Sequence, residues 1–303
     1  MIMAPRKGRI GKDGIRRVSG KSREVRLNRS ITGNVGLLLF ISIMGAIMFI
    51  PMLLTIMNAF KPLDELFYFP PRLFVRQPTI DNFVTLGSLM GNTWVPFSRY
   101  VLNTIIITSA GVVGHVVIAS MGAYPLAKHH FPGRDMLFKI VVLSLMFSPA
   151  VTAIPNYIVI SLLGVNNTYL AVVVPAFASS LGFFLMKQFM EQLPDSILES
   201  ARLDGATENR IFWTVVMPNV KPAWLTLTIL MFQALWGTTG GMFLRSEQLK
   251  PLNFALGQIV AGGPARAGAA AAVGLILMSV PVTFFIVTQS NIIQTMTTSG
   301  IKE

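Results

Sequence analysis

The sequence of 303 residues contains no cysteine, only three histidines and few charged residues, which amount to 13% of the chain. The lack of cysteine excludes a disulfide scaffold, a thiolate metal site and a cysteine nucleophile. Three histidines are too few for a plausible metal cluster. Soluble domains carry about 25% charged residues, so this chain could not cover a water-exposed surface. Hydrophobic residues make up 52%, and the composition predicts an integral membrane protein.

The positive charge is concentrated at the N-terminus. The net charge is +12, and ten of the 25 basic residues lie within residues 1–29, directly before an apolar stretch. This arrangement predicts a basic cytoplasmic tail that sets the membrane orientation and contacts anionic lipid. No aromatic residues are interleaved with these charges, which argues against nucleic-acid binding.

Six spanning helices fit into stretches without acidic or basic residues, since each needs about 20 apolar residues. They lie at Ser30–Phe60, Val101–Ala127, two within Ile140–Met186, Pro222–Leu244 and about Ala269–Gln289. A turn at 164–168 separates the two helices of the third stretch. The predicted fold class is an all-α integral membrane protein, in which residues 30–303 form one six-helix domain.

An even number of spans places both termini on the same side of the membrane. With the N-terminus inside, the inside segments hold 18 of the 25 basic residues and the outside segments hold seven. This bias, which comes mostly from the tail, favours cytoplasmic termini.

The predicted spans contain no acidic or basic residue, and His115 is their one histidine. Ion-coupled transporters usually carry such groups in the membrane, whereas His115 fits either helix packing or a substrate or gating role. A P-loop for ATP is also missing: the position five before Gly20-Lys21-Ser22 is Ile15 instead of glycine. The energy for active transport is therefore expected to come from another protein.

The segment 193–218 between the fourth and fifth spans predicts two short helices at the cytoplasmic surface. Asp195 or Ser196 is expected to cap a helix over about 196–204, which Gly205 ends. Thr207 is expected to cap a second helix that ends at Pro218. Acidic residues in this segment disfavour contact with an anionic leaflet, so it predicts a surface that docks a basic protein partner.

The same segment resembles the EAA loop of ABC importer permeases. It reads Glu199-Ser200-Ala201-x3-Gly205, then nine residues, then Val215-x-Met217-Pro218, against Glu-Ala-Ala-x3-Gly-x9-Ile-x-Leu-Pro. Ser200, Val215 and Met217 depart mildly from that pattern. Further blocks resemble the carbohydrate-uptake branch, and within it the second, maltose-type permease of oligosaccharide importers: Asn103-Thr104, Gly122–Ala127, Phe131–Arg134, Ile154-Pro155-x-Tyr157 and Leu163–Thr168.

This resemblance implies a heteromeric importer in the bacterial cytoplasmic membrane that works by alternating access. The partners would be a second homologous permease, two ATPase subunits and an extracytoplasmic solute-binding protein. ATP and Mg would be bound by the ATPase subunits, and no cofactor by this chain, which would not be an enzyme. The residues implied to couple the ATPase are Glu199, Ser200, Ala201, Asp204, Gly205, Ala206 and Pro218.

Two further segments acquire a role through the resemblance. The C-terminal tail, 291–303, is similar to the tail that maltose-type permeases insert between their ATPase subunits, through Ser299, Gly300 and Lys302. The outer loop 61–99 would contact the solute-binding protein. A frayed terminus and a structured cap without a partner are the respective alternatives.

Pro149 and Pro155 are expected to break the third span, because each removes a backbone donor, and broken helices often line a cavity. The candidate translocation-path residues are Asn156, Tyr157, Gln233, Trp236 and His115. Aromatic rings stack on sugar rings and amides bond hydroxyls, although helix packing also explains these residues. The alternative functions are an ion-coupled secondary transporter and a membrane scaffold that recruits a soluble ATPase.

Overall fold

The computed structural model describes residues 31–91 and 93–299, with side chains from residue 33 to residue 289 except at residue 92. The predicted basic tail, 1–29, lies outside the described residues. The described residues divide into two units, 31–50 and 51–299. The described part of the first unit begins helix α1 (Ile31–Ala59), which contains no acidic or basic residue. Every regular element in the described ranges is helical, as the all-α prediction expects.

The second unit consists of helices of very different lengths. After α1 they are α2 (Leu63–Leu66), α3 (Asp81–Gly91), α4 (Phe97–Lys128), α5 (Arg134–Ser144), α6 (Pro149–Leu162), α7 (Leu170–Phe177), α8 (Ser180–Glu191), α9 (Asp195–Leu203), α10 (Glu208–Ile211), α11 (Met217–Asn219), α12 (Lys221–Trp236), α13 (Leu252–Val260) and α14 (Ala267–Ser299). A π-helical turn at Phe212–Val216 joins α10 to α11, and single 3₁₀ turns occupy Glu247–Leu249 and Pro264–Arg266.

Four described stretches are long and apolar enough to cross a membrane: Gly33–Ala59, Phe97–Lys128, Leu170–Glu191 and Pro264–Gln289. They match the first, second, fourth and sixth predicted spans. Two pairs of helices bent at a short break raise the number to six if each pair is counted as one span. Apolar length is therefore sufficient to locate four spans, although the stretch Leu170–Glu191 is divided into α7 and α8.

The third predicted span is not one helix, because α5 and α6 meet at 113°. Ser148 has an extended backbone and its hydroxyl accepts the Ala150 N–H at 3.4 Å, so a new helix starts there. Pro149 occupies the first position of α6, where a missing N–H costs nothing. The expected break is present, but Pro149 begins a helix instead of kinking one, and Pro155 lies inside α6.

The fifth predicted span is also shorter than expected, because α12 ends at Trp236 and not at Leu244. Gly240 and Gly241 in the following loop have φ values of 75° and 47°. Positive φ is incompatible with a right-handed helix and is adopted readily by glycine. At its other end, α12 is bent by 78° from the helical segment 208–219.

Helix α4 is the central element of the second unit and packs against α7, α8 and α12. Its buried face includes Ile107 at 0% and His115 at 1% exposure. Glycines allow this close approach: a Cβ on Gly182 of α8 would lie 2.0 Å from His115 Nε2. Pro125 lies inside the last turns of α4, and its carbonyl accepts the His129 N–H at 2.9 Å.

The predicted outer loop, 61–99, is a folded segment. Lys61 is only 2% exposed, and its ammonium donates to Asn58 Oδ1 at 2.8 Å and to the Arg72 carbonyl at 2.6 Å. The Asn82 amide donates to the carbonyls of Ala59 and Lys61 at 3.0 and 2.7 Å. These bonds satisfy buried polar groups and fix the loop to the end of α1. Contact with a solute-binding protein stays a prediction.

We expect Gly182→Ala to destabilise the protein, because the buried His115 ring leaves no space for a methyl group. Overpacking of this kind costs about 1–3 kcal/mol. The melting temperature of the purified protein in detergent measures the effect. Gly257→Ala in α13 is the matched control, since nothing lies within 4 Å of a Cβ there. Equal melting temperatures for the two variants would contradict the proposed tight contact between α4 and α8.

Candidate coupling site and translocation path

Helix α9 carries the predicted coupling residues and begins directly after Pro194, whose backbone is extended. The prediction that Asp195 or Ser196 caps this helix is wrong, because both residues lie inside it. The Asp195 carboxylate instead accepts a bond of 2.7 Å from Lys128 Nζ at the end of α4. A carboxylate in the first turn also interacts favourably with the helix dipole.

The end of α9 is as predicted, with Gly205 in the left-handed conformation at φ 77°. The Gly205 N–H donates to the Arg202 carbonyl and the Ala206 N–H to the Ala201 carbonyl, both at 3.0 Å. This pair of bonds is the Schellman motif, which satisfies carbonyls at the C-terminus of a helix. Glycine is required there for its backbone angle, since nothing lies within 4 Å of a Cβ at Gly205.

The inner face of α9 is fixed by an apolar cluster at one end of the helix bundle. Leu198 is 2% exposed, and the partly buried Ala201 and Ala206 pack against the cluster. The other buried members of this cluster come from α4, α8, the segment 208–219 and α12: Ala123, Tyr124, Ala127, Met186, Met190, Ile211, Phe212, Val216, Val220, Ala223 and Leu227. The contacts of Leu198, Ala201 and Ala206 with this cluster therefore hold α9 and the turn after it against the bundle.

The outer side of α9 and the turn after it carry four more of the predicted coupling residues. Glu199, Ser200, Asp204 and Gly205 are exposed, and Leu203 beside them is 89% exposed. The Glu199 carboxylate has no hydrogen bond or ion pair within the described part of the chain. A charged group and a large apolar side chain are thus both available to a partner.

The second helical segment runs from Glu208 to Asn219 and contains the π-helical turn. Thr207 precedes it without a side-chain cap, although its carbonyl accepts the Ile211 N–H at 2.9 Å. The prediction that Pro218 ends this segment is off by one residue, because the helix continues to Asn219. Proline has no N–H to donate to the carbonyl four residues earlier, and the π-helical turn lies directly before it.

Glu208 joins α9 to the end of α4. Its Oε1 accepts from Arg202 Nε at 2.8 Å, and its Oε2 accepts from the Tyr124 hydroxyl at 2.8 Å. His129 Nε2 lies 3.6 Å from the same Oε2. The sequence prediction missed this residue and its partners, as it missed Lys128. One signal for this network was present in the sequence: Glu208 directly follows Thr207, the predicted cap of the second helix.

The charges of this network lower two carboxyl pKa values. The hydrogen bond from Arg202 is the main cause that holds the pKa of Glu208 below its ordinary value, and the bond from Lys128 does the same for the pKa of Asp195. Conversely, the bond to Glu208 raises the pKa of Arg202. Both carboxyl groups are therefore ionised at neutral pH, as the ion pairs require.

The candidate translocation-path residues do not converge in this structure. Asn156 and Gln233 are exposed, whereas His115 is enclosed between α4 and α8. The Tyr157 hydroxyl accepts a bond of 3.0 Å from Arg245 Nη2. Across the described residues, these side chains and Trp236 share no hydrogen bond or ring contact with one another. Their role in transport stays a prediction.

Trp236 lies in an apolar groove of 450 Å³ between α12 and α14, which Phe232 and Phe284 also line. The Phe232 ring stacks on Trp236 at 5.8 Å and on Phe284 at 3.9 Å between centroids. The indole N–H is buried and has no partner among the described residues. This geometry fits helix packing at least as well as sugar binding.

The predicted C-terminal contact is described only in part. Helix α14 continues to Ser299, and the side chain of Ser299 is not among those described. Gly300 and Lys302 lie outside the described residues. Contact of this tail with ATPase subunits stays a prediction.

We expect Glu208→Gln to loosen α9, because the amide cannot pair with Arg202 as a carboxylate does. Exposed ion pairs contribute up to about 1 kcal/mol each, which corresponds to a roughly fivefold change in a local opening constant. Amide hydrogen exchange of residues 196–204 measures it. Glu199→Gln is the control, because that carboxylate makes no hydrogen bond or ion pair with the described residues. Equal protection in both variants would contradict the anchoring role of Glu208.

The contribution of Glu208 is expected to vanish in acid. Its pKa in the folded protein is lowered, so the stabilisation is complete above the ordinary carboxyl pKa of about 4.3 and is lost as the pH falls through the lowered value. The melting temperatures of wild type and Glu208→Gln should therefore differ at neutral pH and converge on acidification below that ordinary value. A gap that widens in acid would refute the ion pair.

Comparison with known proteins identifies the family. Residues 83–297 match the family described as "Binding-protein-dependent transport system inner membrane component". Protein LplC of Bacillus subtilis is 30% identical over 228 residues, which are 73% of this chain and 74% of LplC. The sn-glycerol-3-phosphate transport system permease protein UgpE of Yersinia pestis is 34% identical over 147 residues. That alignment covers 48% of this chain and about half of UgpE, 52%.

A solved structure shares the fold. It is the crystal structure of a bacterial ABC transporter involved in the import of the acidic polysaccharide alginate, with 21% sequence identity and a TM-score of 0.72. The match covers 86% of this chain and 98% of that one. The family match extends over more than two thirds of the described residues and includes α9 and Glu208. The chain thus belongs to the binding-protein-dependent inner membrane components, the multi-pass permeases of ABC importers.

Proposed function

We propose that the chain is one permease subunit of an ATP-driven carbohydrate importer in the bacterial cytoplasmic membrane. It would pair with a second homologous permease, two ATPase subunits that bind ATP and Mg, and an extracytoplasmic solute-binding protein. The bent pair α5 and α6 would form the third span and α12 the fifth, which gives six spans with both termini in the cytoplasm. The observation that carries this proposal is the position of α9: its inner face is anchored, and Glu199 and Leu203 on its outer face are exposed, with no hydrogen bond or ion pair to Glu199 from the described residues.

The coupling step follows from how α9 is held. Leu198 is buried at its inner face, and Lys128 and Glu208 tie its two ends to α4. A displacement of α9 by an ATPase would therefore be passed to α4, α8 and α12 instead of being lost in a flexible loop. ATP would favour one orientation of the permease through the different contacts that α9 makes with the open and closed ATPase.

The outer face of α9 would supply the contacts to the ATPase. Glu199 would pair with a basic side chain, and Leu203 would enter an apolar recess. Burial of a leucine side chain contributes about 1.5–3 kcal/mol, so Leu203 would supply affinity and Glu199 orientation. Ser200, Asp204 and Gly205 would border this contact, whereas Ala201, Ala206 and Pro218 would shape the loop.

The proposed substrate class is an oligosaccharide. It is supported by the sequence blocks shared with the carbohydrate-uptake branch and by the fold shared with an alginate importer. The UgpE relative transports sn-glycerol-3-phosphate, so a small hydroxylated solute is also compatible. An ion-coupled mechanism gains no support, because His115 is 1% exposed and packs against Gly182.

We expect Glu199→Arg to abolish sugar uptake and release the ATPase, because it places a positive charge opposite the proposed basic partner. The tagged chain is purified from its native membranes, and copurifying proteins are identified by mass spectrometry beside uptake. Asp135→Arg is the matched control, an identical charge reversal at an exposed residue in the first turn of α5. Retention of the ATPase and of uptake in Glu199→Arg would overturn the coupling role of α9.

A further inference from the structure

The loop after α12 is held in one conformation by Asn167. The Asn167 N–H donates to the Phe243 carbonyl at 2.9 Å, and Asn167 Oδ1 accepts the N–H groups of Arg245 and Ser246 at 3.0 and 2.8 Å. Asn167 has a φ of 61°, a conformation that asparagine tolerates better than most residues. These bonds join the turn between α6 and α7 to the loop and fix the backbone of Arg245.

The Arg245 side chain is fixed as well. Its Nη2 donates to the Tyr157 hydroxyl of α6 at 3.0 Å, and the Tyr157 ring lies 6.1 Å from the Phe243 ring. Arg245 is exposed, and no carboxylate of the described residues lies within 4 Å of it. Glu247, two residues further on, accepts the Tyr100 hydroxyl at 2.7 Å instead.

This arrangement holds a positive charge in one position, and the described residues occupy only one N–H of the guanidinium, at Nη2. The other N–H groups can bind a ligand. A guanidinium binds carboxylate or phosphate through two parallel hydrogen bonds. The aromatic rings of Tyr157 and Phe243 beside it offer apolar faces on which a sugar ring could lie. An anion attached to a saccharide therefore fits the group better than a small inorganic ion does.

We propose that Arg245, oriented by Tyr157 and Asn167, binds the acidic group of an anionic saccharide, such as a uronate residue, at the extracytoplasmic mouth of the permease. This proposal rests on the proposed function and narrows its substrate class. The phosphate of a lipid headgroup would bind a guanidinium in the same way. An acidic side chain of a partner protein would also pair with Arg245. The experiment distinguishes these from the substrate.

The test uses the complete complex of permeases and ATPase in nanodiscs of phosphatidylcholine, with or without anionic phosphatidylglycerol. The probes are a uronate oligosaccharide and its carboxyl-reduced neutral counterpart, and equilibrium binding of each is measured. Arg245→Gln should lower affinity for the uronate by about tenfold or more, because a charge-assisted bond is lost. Affinity for the neutral counterpart should change little, in both lipid mixtures.

Two further variants separate binding from folding. Tyr157→Phe keeps the ring but removes the hydroxyl that orients the guanidinium, so it should cause a smaller loss in the same direction. Arg76→Gln removes an exposed charge from the outer loop and should leave the ratio of the two affinities unchanged. Melting temperatures near that of wild type exclude misfolding as the cause of a changed ratio.

Each other outcome overturns the proposal. An unchanged uronate-to-neutral ratio in Arg245→Gln would exclude substrate recognition, and an effect seen only with phosphatidylglycerol would assign Arg245 to lipid. Loss of the second permease from the complex, with an unchanged ratio, would assign Arg245 to a partner carboxylate. If the wild-type complex binds neither saccharide and neither stimulates ATP hydrolysis, the proposed function itself fails and this inference with it.

Discussion

The position of α9 depends on the hydrogen bonds that the Glu208 carboxylate accepts. This carboxylate bonds at once to Arg202 within α9 and to Tyr124 of α4, while Leu198 sets the depth of α9 through apolar contact. Neither contact would be sufficient alone: burial is non-directional, and an exposed ion pair is weak. Together they preorganise the outer face of α9, which lowers the entropy that a partner must remove on binding.

The helices were predictable wherever apolar length alone decided the outcome, as for the stretches 33–59 and 97–128. The predictions of the third and fifth spans were wrong, because the apolar sequence continues there but the helix does not. The break before Pro149 does not lower the hydropathy, because residues 145–147 are as apolar as the helices on either side. Helix α12 ends at Trp236, and the positive φ values of Gly240 and Gly241 prevent a helix from continuing to Leu244. Glycine tolerates such φ values but does not dictate them.

The candidate coupling site was predictable only where its structure depends on residues close together in the sequence. Gly205 ends α9 as the motif implies, because a Schellman motif involves neighbouring residues. Glu208 could not be recognised, since its partner Tyr124 is 84 positions away. The same holds for Tyr157 and Arg245, which are 88 positions apart. The outward direction of Leu203 likewise depends on which face of α9 the bundle covers.

Pro125 gives the end of α4 a mechanical property that the rest of the helix lacks. Since proline donates no hydrogen bond, the Met121 carbonyl has no helical partner at that point. Lys128, which bonds to Asp195, lies after this missing hydrogen bond. Tyr124, which bonds to Glu208, lies directly before Pro125. The last turn of α4 can therefore bend at a lower energetic cost than the rest of the helix. A displacement at Lys128 would therefore bend the last turn of α4 before it moved the buried part of that helix.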